Sequence, residues 1–219
     1  MSQATHRMLR VTGNPTTGSI LAFRPEPCFN MSLRPSEWTP RLDRCSIRGM
    51  SNSENSPELE AAITAGFDAR DRADMGPTIE YFAALLEANP GNAAVLYELA
   101  GAYDTAGQED TAEKYYLEAF DAGLSGDRHR RALLQYGSTL RNLGRFEESL
   151  TVFADARQQY PESDSLRVFQ IMSLHAAGRP NTALAEALSL IADRVDSAEM
   201  KRYEAAVRGN AEYLASLDG

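Results

Sequence analysis

Residues 133–153 read LLQYGSTLRNLGRFEESLTVF, and residues 96–116 read LYELAGAYDTAGQEDTAEKYY. Superimposed on Gly144 and Gly107, the two stretches share a leading Leu, a Tyr or Leu in the middle of the first half, a glycine, then a charged second half ending on an aromatic. A third glycine in the same setting is Gly178, in Ala177-Gly178-Arg179; the spacings are 37 and 34 residues. Five residues after each glycine stands a small residue, Ala112, Ser149 or Ala183, and four further on Tyr116, Phe153 or Ala187. Apolar positions inside each half recur at helical spacing, so each unit predicts two helices joined by a turn at the glycine.

Each recurring slot has a mechanical reason. A glycine just past the first helix lets the chain enter the left-handed backbone region, which a Cβ makes costly. Pro77 and Pro180 start second helices, where a missing N–H costs nothing. Small residues at Gly66, Ala100, Gly137, Ala112, Ser149 and Ala183 let paired helices approach; Leu99, Tyr103, Tyr116, Leu140 and Phe153 fill the space around them. A fainter unit lies upstream, with Gly66, Ala69, Thr78, Phe82 and Pro90 in the same frame. One hairpin cannot bury its apolar face alone, whereas three or four stacked hairpins share a continuous core.

These positions resemble the tetratricopeptide repeat, whose pattern of about 34 residues runs W-x₂-L-G-x₂-Y…A-x₃-F…P. The runs Tyr97–Asp104, Ala122–Gly126 and Leu133–Gly144 are similar to a bacterial subfamily of three to four repeats, whose cellular role is largely unassigned. The likeness covers about residues 90–195 and weakens after Ser165, where Arg167 and Gln170 replace large apolar residues. The resemblance implies an all-α, right-handed superhelical stack of helix–turn–helix hairpins. We place the repeat domain at 59–195, with units at about 59–92, 93–129, 130–163 and 164–195. The three extra residues of the second unit are expected in the loop Gly123–Asp127. Ser56-Pro57 reads as the N-cap and first residue of the leading helix. Residues 196–219 predict a capping helix and tail. Its start is the capping box Asp196-Ser197-Ala198-Glu199, and Gly209 is expected to bend or end it.

Composition changes around Met50. Residues 1–49 hold both cysteines (Cys28, Cys45), the only tryptophan, seven Arg, no Lys and three acids, a net of +4. The whole chain carries −9, which leaves −13 for residues 50–219. The front segment is expected to be disordered, and 50–58 to be a flexible lead-in. It reads either as a basic targeting tail, against which its five prolines argue, or as an extension ahead of a true start at Met50, the reading we favour. The cysteines lack a second ligand pair at zinc spacing and staple no core; two free thiols suit a reducing cytoplasm. The acidic balance argues against nucleic acid and against an electrostatic membrane anchor. No apolar run approaches the roughly 18–20 residues of a membrane span.

Catalytic signatures are missing: no phosphate-cradling glycine loop, no G-x-S-x-G, no H-E-x-x-H. His6, His129 and His175 are far apart and read as surface residues, and no metal or cofactor is implied. The carboxylates of the second helices, among them Glu113, Glu147 and Glu148, read as solvated charge, as do Arg128, Arg130 and Arg131. By the family resemblance, the wall of a concave groove comes from the first helix of each hairpin. The slots hold Glu60, Ile63, Phe67, Arg70 and Asp71; Tyr97, Gly101, Asp104 and Thr105; Arg131, Leu134, Ser138, Arg141 and Asn142; then Val168, Met172 and His175. Phe67, Arg70, Tyr97, Asp104, Arg131, Leu134, Ser138, Arg141, Asn142 and His175 are the expected partner-binding residues. Apolar groups interleaved with Arg and Asn suit an extended or helical peptide bearing an acid. The expected function is a non-catalytic adaptor that binds a protein or peptide. Two other readings stay open: an accessory or regulatory subunit acting through its outer surface or self-association, and an enzyme with an unrecognised site.

Overall fold

The computed structural model describes residues 55–218. Among them are helices α1 (Pro57–Asp68), α2 (Gly76–Ala88), α3 (Ala93–Thr105), α4 (Glu109–Asp121), α5 (Gly126–Asn142), α6 (Phe146–Gln159), α7 (Asp164–Ala176), α8 (Pro180–Arg194) and α9 (Ala198–Ala215). No strand occurs among the described residues. The expectations for residues 1–49 and for most of 50–58 fall outside this range.

Four hairpins, α1–α2, α3–α4, α5–α6 and α7–α8, stack in order, and α9 packs on α8. The odd-numbered helices α1, α3, α5 and α7 form one layer in which each touches the next. The backbones of even-numbered helices in neighbouring hairpins stay apart, although side chains bridge α6 and α8. Each instead packs against the first helix of the following hairpin. The fold is the all-α stack of helix–turn–helix units that the repeat pattern predicts.

The turn at Gly144 shows why glycine recurs there. Its φ is 75°, in the left-handed region. The Arg145 N–H donates to the Leu140 carbonyl at 2.9 Å and the Gly144 N–H to that of Arg141 at 3.0 Å, the paired bonds that close a helix end. Gly137 serves a different purpose. A Cβ there would lie 2.7 Å from the Phe153 ring, so its absence lets α5 and α6 meet. Phe153, Tyr116 and Leu140 are essentially inaccessible to water. Burying each such side chain is worth about 1.5–3 kcal/mol. Two polar groups inside the stack pair with each other: the Ser149 hydroxyl donates to the Gly137 carbonyl at 2.6 Å and lies 2.9 Å from that of Ser173. These two serines tie the third hairpin to the fourth.

Helix starts follow the sequence in part. Ser56 caps α1, accepting from the Leu59 N–H at 3.2 Å. Asn92 caps α3, accepting from Ala94 and Val95, each at 3.1 Å. The cap of α9 is Ser197, which accepts from Met200 N–H at 3.1 Å, one residue later than the expected box. Gly209 does not end α9, which continues to Ala215; a Cβ there would meet nothing within 4 Å.

The largest departure concerns the extra residues of the second unit. They do not lengthen a loop. Gly126 and Asp127 already belong to α5, which at 17 residues is about one turn longer than α1, α3 or α7. Asp127 holds that added turn, accepting from Arg130 at 2.7 Å and Arg131 at 2.6 Å, and a carboxylate at a helix start is favoured by the exposed N–H groups. His129, expected at the surface of a loop, sits instead in α5 with Nδ1 2.9 Å from the Tyr160 hydroxyl and its ring edge-on to Phe120. Burial lowers its pKa. α7 forms despite Arg167 and Gln170, because both find partners. Arg167 pairs with Asp193 at 2.7 Å, and Gln170 accepts from Arg157 at 2.6 Å.

Candidate functional site

The added turn of α5 builds the most polar part of the inner layer. It carries Arg128 back across α3 to Glu60 on α1, with Nη1 to Oε1 at 2.8 Å and Nη2 to Oε2 at 2.6 Å. Side chains from two helices that flank a third can meet only if the layer curves towards that face, so this bidentate bridge marks the concave side. The guanidinium holds the Glu60 carboxyl down to about 2. Arg128, expected to be solvated, is therefore a structural tie.

Beside the bridge stands Glu98 of α3. It is partly buried, and desolvation pushes its pKa up to about 7 although Arg128, Arg70 and Arg131 all favour its charge. Neighbouring Tyr97 is raised to about 12, again chiefly by burial. Tyr97 is only 4% exposed and packs with Leu96, Ala100 and Tyr116. Its ring therefore offers little surface to a ligand. The Tyr116 hydroxyl donates to Gln135 Oε1 at 3.1 Å across the inner layer, next to the bare backbone of Gly101.

Towards the other end of α3, Asp104 accepts from the Thr139 hydroxyl at 3.0 Å, and burial raises its pKa. Arg141 contributes a favourable charge to it while its own pKa is lowered by burial. The Arg141 Nη1 and the Ser138 hydroxyl, one turn apart on α5, are buried and make no hydrogen bond among the described residues. Buried polar groups are nearly always satisfied, so a guanidinium nitrogen left unpaired near an acid is unusual.

The remaining expected residues are spread out. Phe67 is exposed, with the Arg70 guanidinium stacked 3.3 Å from its ring centroid. Arg131 is exposed and tied to Asp127. Leu134 is partly buried against the cluster of Phe153, Ala156 and Leu166. Asn142 and His175 are exposed on α5 and α7. The inner layer thus brings Arg141 near Asp104, with Phe67 and Arg70 forming a pair of their own. Sequence reasoning passed over Glu98, Gln135 and the Glu60–Arg128 tie. The one sequence signal for the tie is the spacing of 37 instead of 34 between Gly107 and Gly144.

On the outer face, acids expected to be solvated are partly engaged. Glu113 accepts from Arg145 at 2.6 Å and Glu147 from Arg179 at 2.7 Å, each pair joining successive hairpins. Among the described residues no cluster of three or more metal-ligating side chains occurs. Nor is any described helix long and apolar enough to cross a membrane.

Stacked helical hairpins with a continuous inner layer and a capping helix define a helical-repeat protein. The family model for the tetratrico peptide repeat matches residues 93–214, more than half of the chain, and the chain belongs to that family. The match runs from α3 into α9, leaving the first hairpin outside it. A search of curated proteins found no match. Repeats of this family are generally protein–protein interaction modules and generally non-catalytic.

Proposed function

We propose that the protein is a non-catalytic adaptor whose inner layer receives a segment of a partner protein across α3 and α5. The observation that carries this reading is Arg141, partly exposed near Asp104, with one guanidinium nitrogen that makes no hydrogen bond among the described residues. A carboxylate of an incoming segment would pair with the partly exposed Arg141 guanidinium, and a hydrogen bond to a charged donor contributes about 1.5–3 kcal/mol. Asn142, exposed on the following residue, adds an amide able to pair with a peptide backbone. Phe67 with its stacked Arg70 offers an apolar and cationic contact at the α1 edge.

The test is affinity capture from the source organism, with wild-type protein and an Arg141→Ala/Asn142→Ala variant compared by quantitative mass spectrometry. Partners held in this groove should be depleted from the variant while its melting temperature stays unchanged. An identical set of captured proteins at identical yield would reject groove binding.

A further inference from the structure

On the outer face, each cleft between successive hairpins is built from three equivalent slots. They lie eight residues before the turn glycine, eight after it, and four after the buried aromatic of the preceding second helix. Between the third and fourth hairpins the slots hold Gln170, Glu186 and Arg157. Arg157 Nη1 donates to Gln170 at 2.6 Å and lies 3.4 Å from Glu186, so this cleft satisfies itself. Between the second and third they hold Tyr136, Val152 and Phe120, and the Phe120 and Tyr136 rings pack edge to face, 5.8 Å between centroids. Between the first and second they hold Leu99, Tyr115 and Leu86. Tyr115 stacks on Tyr103 at 5.5 Å between centroids, and an open cleft of about 550 Å³ remains, walled also by Leu96 and Pro90.

The rim of that cavity carries Glu87, Glu118 and Asp121. The other two hairpin junctions are crossed by arginines, Arg145 to Glu113 and Arg179 to Glu147. Those bridges lie at the starts of α4 and α6, whereas the rim acids lie towards the C-terminal ends of α2 and α4. The rim's ion pairing among the described residues is limited to exposed Lys114, at 4.0 Å from Glu118 on the same helix. An apolar cavity of this size lies within the usual range of about 300–1,000 Å³ for binding sites.

The geometry points to a second binding site in the α2–α4 cleft, for a helix of another protein that inserts one large apolar side chain and sets Lys or Arg against the acidic rim. The apolar side chain replaces the packing that the other clefts supply from within. The cations pair with the rim acids, which otherwise stay largely unpaired. Opposite charge across the rim favours encounter and rejects acidic competitors. The site is independent of the inner layer, so one chain can hold two partners at once.

A fluorescein-labelled 18-residue helix with leucines along one face and lysines on its flanks serves as the probe, read by anisotropy against the full chain at about 0.15 M salt, where long-range attraction is screened. It should bind saturably, and at least tenfold more weakly when glutamates replace its lysines or alanines its leucines. Ala83→Phe, which fills the cavity, and Glu118→Lys/Asp121→Lys, which reverses the rim, should each weaken binding tenfold or more. Asp155→Lys/Glu212→Lys, the same charge change elsewhere, should not. Circular dichroism confirms that each variant is folded, and the rim variant tests the site even if Ala83→Phe fails to fold. Equal weakening by both charge variants would mean diffuse attraction and overturn the site. Loss of binding in Arg141→Ala would place the probe in the groove and also overturn it. A concentration-dependent dimer abolished by Arg202→Glu, beside the exposed Tyr203 of α9, would make a second copy the occupant and overturn the assignment to another protein.

Discussion

Replacing Glu98 with Gln removes an ionisable group that the fold holds in an unfavourable setting. The carboxyl rises from its ordinary 4.5 to about 7, with burial as the largest cause. The folded state therefore binds this proton more tightly than the unfolded chain does. By linkage, wild-type stability is fully present below about pH 4.5 and is lost as pH rises towards 7. At about 1.4 kcal/mol per decade of proton affinity, the loss amounts to about 3 kcal/mol by pH 8. Gln keeps the shape and hydrogen-bonding capacity but has no proton to release, so this contribution disappears in Glu98→Gln. Urea unfolding of both proteins from pH 4.5 to 8 measures it. The variant should gain on the wild type by about 3 kcal/mol over that range, and direct carboxyl titration by NMR should find the midpoint near 7. A difference between the two proteins that stays flat within about 0.5 kcal/mol would refute the assigned burial of Glu98 and the curvature of the inner layer around it.

Arg128→Ala removes the cation that most favours the Glu98 charge, so the Glu98 midpoint should move further up and Glu60 should titrate close to an ordinary carboxyl; NMR titration checks both. The stability cost of that change should stay within about 1 kcal/mol, because both partners of the bridge are partly solvated. Gly144→Val forces a β-branched residue to a φ of 75° and should cost about 1–2 kcal/mol in chemical denaturation; an unchanged midpoint would break the assigned turn. Gly137→Ala drives a Cβ into the Phe153 ring and should cost about 1–3 kcal/mol by the same measurement. Phe153→Ala, emptying a fully buried site, should cost about 3–5 kcal/mol.

The helical register was legible in the sequence because it depends on neighbours a few residues apart. The turn glycines, the proline starts and the alternation of small and large residues each answer a local demand of backbone or of a paired helix. Gly107, Gly144 and Gly178 all occupy the left-handed region, and Gly66 and Gly137 each lie against a ring of the paired helix. Where a local signal is ambiguous, the reading slipped by a residue or more. Ser197 and Asp196 are both capable caps, and Gly209 costs a helix only about 1 kcal/mol, which packing of α9 on α8 overrides. The extra residues after Ala122 suit a loop or a helix equally well on composition. Their place in α5 is decided by Asp127 and by what Arg128 can reach.

The candidate site was less legible. A repeat pattern tells which positions face inwards, but not how tightly the layer curves, and burial of Tyr97 and the raised Glu98 follow from that curvature. Arg128 and Glu60 lie 68 residues apart, and no spacing rule links them. The same holds on the outer face, where Leu86, Leu99 and Tyr115 look like ordinary core residues one at a time. Sequence alone set the helices, their order and the hairpin turns, since those rest on backbone preference and on apolar period. Tertiary structure alone decided which charges are tied, which are buried without a partner and where an apolar cleft stays open, since those depend on distances between helices that repeat-to-repeat stacking fixes.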